Sequence, residues 1–126
     1  MSTAHSDVTV PATTQTIAER LETAAADLEN LLDAAREKLR PRILVDGRID
    51  AARLDAEQHA AHGLAWLATY VQAVGELARY TARLTDEGRF GAMEEMLVRI
   101  GAGEYCAQAL TGIPMSQGEI VRLSAF

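Results

Sequence analysis

Apolar residues recur at helical spacing in the first part of the chain. Over residues 17–39 the steps between apolar positions alternate between four and three residues, which places them along one face of a helix. Thr16 and Glu19 have the spacing of a capping box, so we expect this helix to begin there. It is expected to end at Arg40, because Pro41 pushes the residue before it out of the helical conformation.

A short apolar segment, residues 43–49, follows the first helix. Its centre is Asp46-Gly47, a strong turn signal, and apolar residues flank it on both sides. We expect a tight β-turn or a very small hairpin that acts as a structured connector. Asp50, directly after it, is a good N-cap for a second helix.

The second helix is predicted over residues 51–87 and carries two neighbouring apolar stripes. A helix with two such stripes must contact more than one partner. Gly63 and Gly75 are the expected points of kinking or close contact within it. The first stripe contains Leu64, Leu67, Val71, Val74, Ala78, Thr81 and Leu84, and the second contains Trp66, Tyr70, Ala73, Leu77 and Tyr80.

A third helix is predicted over about residues 90–110, and Gly112 and Pro114 end it. The residues expected to face inward are Met93, Leu97, Ile100, Ala107 and Leu110. The remaining segment lacks a helical period, and its apolar residues Ile120, Val121 and Phe126 are expected to be exposed.

These elements predict an all-α fold, an up-down-up bundle of three main helices with a long central helix. We expect a disordered N-terminal tail over residues 1–15, a helical bundle domain over 16–112 and an extended C-terminal tail or linker over 113–126. The long central helix is expected to overhang its neighbours, and that overhang is the natural docking place for a partner or a second copy.

Composition and charge exclude several classes of partner. The formal net charge of −6 disfavours a nucleic-acid-binding protein, because phosphate binding needs a clustered basic face. No apolar stretch approaches the roughly 20 residues of a membrane span. The first ten residues lack the basic and apolar regions of a signal peptide, so we expect a cytoplasmic protein that contacts no membrane.

Candidate metal ligands are few. His59 and His62 lie three residues apart on a predicted helix, one turn after Asp55, and a third helix could add carboxylates. Solvated or interface histidines are the more common interpretation of such a pair, because nothing in the sequence fixes the facing of those carboxylates. We therefore predict no metal site.

Candidate catalytic groups are equally sparse. Glu94 and Glu95 point in different directions and are typical of a solvated face, whereas Glu104 lies among small residues. Cys106 has no nearby basic residue to activate a thiolate and is expected to be a small buried hydrophobe. Gly101-Ala102-Gly103 is too short to cradle a phosphate. No catalytic or cofactor-binding residue is predicted.

Two stretches go beyond a generic helix. One is Gln-His-Ala-Ala-His-Gly-Leu-Ala-Trp-Leu-Ala-Thr-Tyr-Val at residues 58–71. The other combines Gly-Glu-Tyr at 103–105 with Gly-Ile-Pro-Met-Ser-Gln-Gly-Glu-Ile-Val-Arg at 112–122. Together they resemble an N-terminal helical extension found in some acyl-CoA dehydrogenase flavoproteins, over about residues 28–122.

The resemblance implies FAD, a homo-oligomer and α,β-desaturation of an acyl-CoA thioester with a glutamate as base. This chain is far too short to hold the flavin-binding domain or that glutamate, so none of those residues is carried onto a position here. FAD is therefore implied only for the flavoprotein that the chain resembles part of.

Three functional hypotheses follow, of which a small helical enzyme or metal sensor using His59, His62 and Glu104 has the least support. The first is an accessory module that packs on an acyl-CoA dehydrogenase-like flavoprotein, in the same polypeptide or a separate one, without catalysis of its own. Its predicted partner interface consists of Trp66, Tyr70, Leu77, Ile113 and Met115. The alternative is a free-standing homodimeric protein with a scaffolding or regulatory role, which self-associates through the doubly apolar second helix.

Overall fold

The computed structural model describes residues 15–126, so most of the predicted disordered tail lies outside the described residues. The elements in chain order are α1 (Ile17–Ile43), β1 (Leu44–Val45), β2 (Arg48–Ile49), α2 (Ala51–Ala56), α3 (Gln58–Asp86), α4 (Ala92–Thr111), β3 (Ile113–Pro114) and β4 (Ile120–Val121), with single 3-10 turns at Ser116–Gly118 and Leu123–Ala125. Three long helices with only two-residue strands confirm the prediction of an all-α helical bundle.

The packing clusters give the direction of the three long helices. Near one end of the bundle, Leu21 of α1 packs with Ala78 of α3 and Val98 of α4. Farther along, Leu32 of α1 packs with Leu67 of α3 and Ala109 of α4. Residue numbers therefore rise along α1 and α4 while they fall along α3, which is the predicted up-down-up order.

Helix α1 begins as predicted and ends later than predicted. The Thr16 hydroxyl accepts from the Glu19 amide at 3.2 Å, and the Glu19 carboxylate accepts from the Thr16 amide at 2.8 Å, which completes the capping box. The prediction that the helix ends at Arg40 is wrong, because α1 continues through Pro41 to Ile43. A proline in the last turn removes only one intrahelical bond, and the Leu44 amide still donates to the Arg40 carbonyl.

The predicted small hairpin is confirmed. Strand β1 pairs antiparallel with β2, and Leu44 lies opposite Ile49. Asp46 and Gly47 connect the strands with φ of 50° and 76°. Positive φ at both central residues is the geometry whose twist matches that of a two-residue hairpin, and glycine adopts it without strain.

The second predicted helix is divided into α2 and α3 at Glu57, where φ is −104° and ψ is 17°. Asp50 caps α2 as predicted, since its carboxylate accepts from the Arg53 amide at 2.9 Å. Neither Gly63 nor Gly75 interrupts α3. The break occurs where the Glu57 carboxylate meets the Arg42 guanidinium, a contact between segments distant in sequence.

Helix α3 lies between α1 and α4 and forms the centre of the bundle. Its first stripe is buried from Leu67 to Leu84, as predicted, with Leu67, Val74 and Thr81 fully enclosed. The division at Glu57 leaves α3 with 29 residues and α1 with 27, so α3 exceeds α1 by only two residues. None of the helices within residues 15–126 combines the length and apolar character that a membrane span needs.

The predicted inward face of α4 is wrong. The bulky residues assigned to the core, Met93, Leu97, Ile100 and Leu110, are exposed, as is Ala107. Val98, Ala102 and Ala109 are buried instead. Both faces of α4 are apolar, so periodicity alone could not choose between them; small residues allow a close approach to α3 that bulky ones would prevent.

The segment after α4 folds back onto the bundle. Strand β3 pairs antiparallel with β4, and Ile113, Met115 and Val121 are buried in the main core. The expectation that Val121 is exposed is therefore wrong: its side chain occupies the space above Gly63, where an added Cβ would lie 2.4 Å from it. The predicted division into a bundle and a C-terminal linker at residue 112 stays a prediction.

Candidate interaction surface

The five predicted interface residues lie in two different environments. Tyr70, Ile113 and Met115 are buried in the core of this chain. Trp66 and Leu77 are half-buried at its edge. Only these two have surface to offer a partner in this conformation, and whether they contact one stays a prediction.

Tyr70 belongs to an aromatic cluster that joins α3 to α4. The Trp66 ring meets the Tyr70 ring edge to face, with centroids 6.3 Å apart and an interplanar angle of 82°. The Tyr105 ring of α4 lies 4.8 Å from the Tyr70 ring. Trp66 also forms a hydrogen bond with a residue that is not in the cluster: its Nε1 donates to His62 Nε2 at 3.1 Å. Aromatic pairs at these separations stabilise packing beyond the area they bury.

A short hydrogen-bonded chain fixes the polar end of Tyr70. Its hydroxyl donates to Gln108 Oε1 at 2.5 Å, and the Gln108 amide donates to the Glu104 carboxylate. Burial, and then the nearby Tyr105 and Glu104, raise the pKa of Tyr70. Tyr70 is therefore a neutral donor that links the two helices, and Glu104, the carboxylate of most interest in the sequence, serves as an acceptor in that link.

The other candidate chemical groups are separate from one another. His59 and His62 are both exposed, and the Asp55 carboxylate accepts from Gln58 at 2.5 Å. Among residues 15–126, no three His, Cys, Asp or Glu side chains are placed to share a metal ion. Glu94 accepts from the Gly91 amide at 3.0 Å, where it caps α4, and Glu95 pairs with Arg99.

Cys106 and the neighbouring glycines offer no catalytic or phosphate-binding group. Burial raises the pKa of the Cys106 thiol, so the side chain stays protonated at neutral pH and lacks the thiolate that reactivity needs. Gly101 and Gly103 lie inside α4, where the backbone amides are used in helical bonds. They do not fit the phosphate groups of a bound FAD, which require free amides at a loop or helix start.

One face of α4 is apolar and open to solvent. Its five large residues, here named the α4 face, are Met93 (59% exposed), Met96 (50%), Leu97 (58%), Ile100 (62%) and Leu110 (66%). Four of them are predicted from the sequence to face the core, and Met96 is not among the predicted core residues. The signal that could have located this face is the apolar character of α4 on both sides, the same feature that was recognised in the second helix.

A groove beside the α4 face separates α1 from α4. Both helices pack on α3 and contact each other only weakly, and the space between them measures about 330 Å³. Its lining is mostly apolar, consisting of Ala24, Asp27, Leu28 and Leu31 of α1 with Cys106 and Leu110 of α4. Leu110 belongs to the groove and to the α4 face, so the two form one continuous surface.

Comparison with known proteins identifies the origin of this helical domain. No known protein-family profile matches the chain. However, 100 residues, 79% of the chain, are 45% identical to the (2S)-methylsuccinyl-CoA dehydrogenase of Cereibacter sphaeroides. The chain is homologous to a segment of an acyl-CoA dehydrogenase. This finding confirms the family resemblance that the sequence motifs indicated.

The homology covers a small share of the relative. The matched residues are 18% of that dehydrogenase, so about four-fifths of its length has no counterpart in this chain.

Proposed function

We propose that this chain is an accessory helical module of an acyl-CoA dehydrogenase-like FAD flavoprotein, acting in packing or assembly and not in catalysis. It packs against the flavoprotein domain either within one polypeptide or as a separate subunit. The observation that carries the proposal is the unequal coverage of the match. Most of this chain corresponds to a small part of a much larger dehydrogenase.

The surroundings of the candidate catalytic groups support a non-catalytic role. Glu94 caps a helix, Glu95 pairs with Arg99, and Glu104 accepts from Gln108. A general acid or base instead needs a free carboxyl group in a pocket that shifts its pKa toward the working pH. The acyl-CoA chemistry of a dehydrogenase, its FAD and its substrate specificity would therefore reside in the flavoprotein.

Affinity capture tests the proposal. The tagged full chain is expressed in its native host and recovered from the lysate, and the eluate is scanned for flavin absorbance while its proteins are identified by mass spectrometry. We expect a yellow complex with an acyl-CoA dehydrogenase-like partner. A colourless eluate that contains only self-associated chain would instead support the homodimeric scaffolding protein.

A further inference from the structure

The α4 face is the largest group of exposed apolar side chains on one helix of the described residues. Met93, Met96, Leu97 and Ile100 occupy positions i, i+3, i+4 and i+7, and the small residues Gly103 and Ala107 fill the gap between Ile100 and Leu110. Side chains at this spacing form one stripe along a helix. The exposed apolar area of the stripe is on the order of 500 Å², close to the lower limit of contacts between domains of one chain. An apolar area of this size equals the largest patch on a typical monomer, and such patches are often functional.

The shape of this surface suits a helix. The groove between α1 and α4 meets the stripe at Leu110, because both helices lie against α3 and leave an open channel between them. Ala24, Leu28 and Leu31 form one wall, and Cys106 and Leu110 form the other. An amphipathic helix laid in such a groove buries its own apolar side and completes a four-helix arrangement.

The negative charge around this surface favours a different protein, rather than a second copy of the chain, as the molecule that covers it. Asp27 lines the groove, Glu104 lies exposed on α4 beside the stripe, and the whole chain carries a net charge of −6. A second copy would bring the same negative charges to the contact. A helix with Lys or Arg beside its apolar side would instead complement them.

We propose that the α4 face and the α1–α4 groove receive an amphipathic helix of the acyl-CoA dehydrogenase-like flavoprotein, with basic residues flanking its apolar side. This inference rests on the proposed function and names the surface that performs it. About four-fifths of the relative's length lies outside the segment homologous to this chain, which leaves ample sequence for such a helix.

A matched pair of substitutions tests the surface. Ile100 on α4 is 62% exposed and Ile49 on β2 is 63% exposed, so Ile100→Glu and Ile49→Glu introduce the same charge at the same exposure. We expect Ile100→Glu to lower the captured flavoprotein at least tenfold, measured as flavin absorbance per mole of chain. Ile49→Glu should leave it within a factor of two of the unaltered chain. Thermal unfolding of each purified variant checks that the fold is retained.

A charge substitution tests the groove separately. Asp27→Lys reverses the charge that lines it, and we expect capture of the flavoprotein to fall several-fold, with a smaller fall at high salt because salt screens exposed charges. Asp33→Lys on the same helix is the matched control, since Asp33 is exposed and pairs locally with Arg36.

The possible outcomes distinguish a failure of the proposed surface from a failure of the proposed function. Equal capture by the unaltered chain and Ile100→Glu would overturn the surface and leave the accessory role standing. Absence of any flavoprotein with the unaltered chain would overturn both. A homodimer that Ile100→Glu dissociates, without flavoprotein, would make the α4 face a contact between copies. A loss of folding stability as large as the loss of capture would show that the chain itself covers this face.

Discussion

Two glycines of α3 illustrate how much the surroundings of a single residue decide. Both lie within a sequence of helical character, and the sequence makes them equivalent candidates for a kink or a close contact. Gly63 lies under Val121, where a Cβ would be 2.4 Å from the valine side chain. Gly75 lies beside a different groove, between α1 and α3. The nearest atoms to a Cβ added there belong to the flexible end of Arg79, at 3.7 Å. Only Gly63 is required by packing.

Alanine should therefore have opposite effects at these two positions. We expect Gly63→Ala to lower the free energy of unfolding by about 1–3 kcal/mol, because the added methyl group displaces Val121 from the core. Gly75→Ala should raise it by about 0.5–1 kcal/mol, because alanine favours the helix and meets no obstacle. Urea denaturation of both variants measures the difference. A stabilising Gly63→Ala would contradict the close packing of β4 on α3.

At the same scale, Tyr70 predicts a pH dependence of stability. Its pKa is raised in the folded chain above the ordinary value of about 10. Over the pH range between the two values the folded chain keeps a proton that the unfolded chain has lost. The free energy of unfolding should therefore be constant below pH 10 with respect to this group and fall as pH rises further.

Tyr70→Phe tests that dependence. It removes the titrating hydroxyl and the bond to Gln108, so we expect a loss of about 1 kcal/mol at neutral pH and a shallower decline above pH 10. Urea denaturation between pH 8 and 11 gives both quantities. Tyr80→Phe, which removes an exposed hydroxyl, is the matched control. An unchanged slope in Tyr70→Phe would assign the decline to other groups.

At the scale of elements, Arg42 connects three segments. It lies in the last turn of α1, donates to the Ala125 carbonyl at 2.9 Å and pairs with the carboxylate of Glu57 at the junction of α2 and α3. The continuation of α1 past Pro41 is what brings Arg42 to this position. The end of α1, the break at Glu57 and the C-terminal segment are therefore joined through the side chain of Arg42.

Arg42→Met keeps the length of the side chain and removes its donors. We expect a loss of about 1 kcal/mol in the free energy of unfolding, modest because the pair is partly exposed. Hydrogen exchange should become faster at the amides of residues 120–126 in particular. Arg40→Met, which breaks only an exposed pair with Glu37, serves as the comparison. Equal exchange in both variants would show that Arg42 does not hold the C-terminal segment.

At the scale of the whole molecule, some apolar side chains stabilise the fold and others are available to bind a partner. Trp66 is half-buried, packs beside Tyr70 and keeps part of its ring at the surface, so it is the member of the predicted interface best placed to do both. Trp66 lies on α3 and is not part of the α4 face, so its own substitution tests it.

We expect Trp66→Ala to weaken association with the flavoprotein more than it weakens folding of the isolated chain. Truncation of a tryptophan at the centre of an interface typically costs about 2 kcal/mol or more, roughly a thirtyfold loss of affinity. Titration of the purified partner and urea denaturation of the chain give the two numbers. His62→Ala controls for the hydrogen bond to the indole. Equal losses in both measurements would make Trp66 a core residue.

The sequence by itself determined the three long helices and the hairpin after the first of them. Local signals specify the capping box at Thr16, the turn at Asp46-Gly47 and the cap at Asp50, because each depends on residues within three or four positions of one another. The sequence alone also shows the apolar periods of α1 and α3 and the residues by which the chain resembles acyl-CoA dehydrogenases.

Only the tertiary structure decided how those elements meet. The break at Glu57 lies where its carboxylate contacts Arg42, and the burial of Val121 depends on the absence of a side chain at Gly63. The inner side of α4 depends on the fit of small residues against α3, since apolar residues occur on both of its faces. Each of these features arises from contact between segments distant in sequence, and hydrophobicity measured along one helix contains no information about which partner it will find.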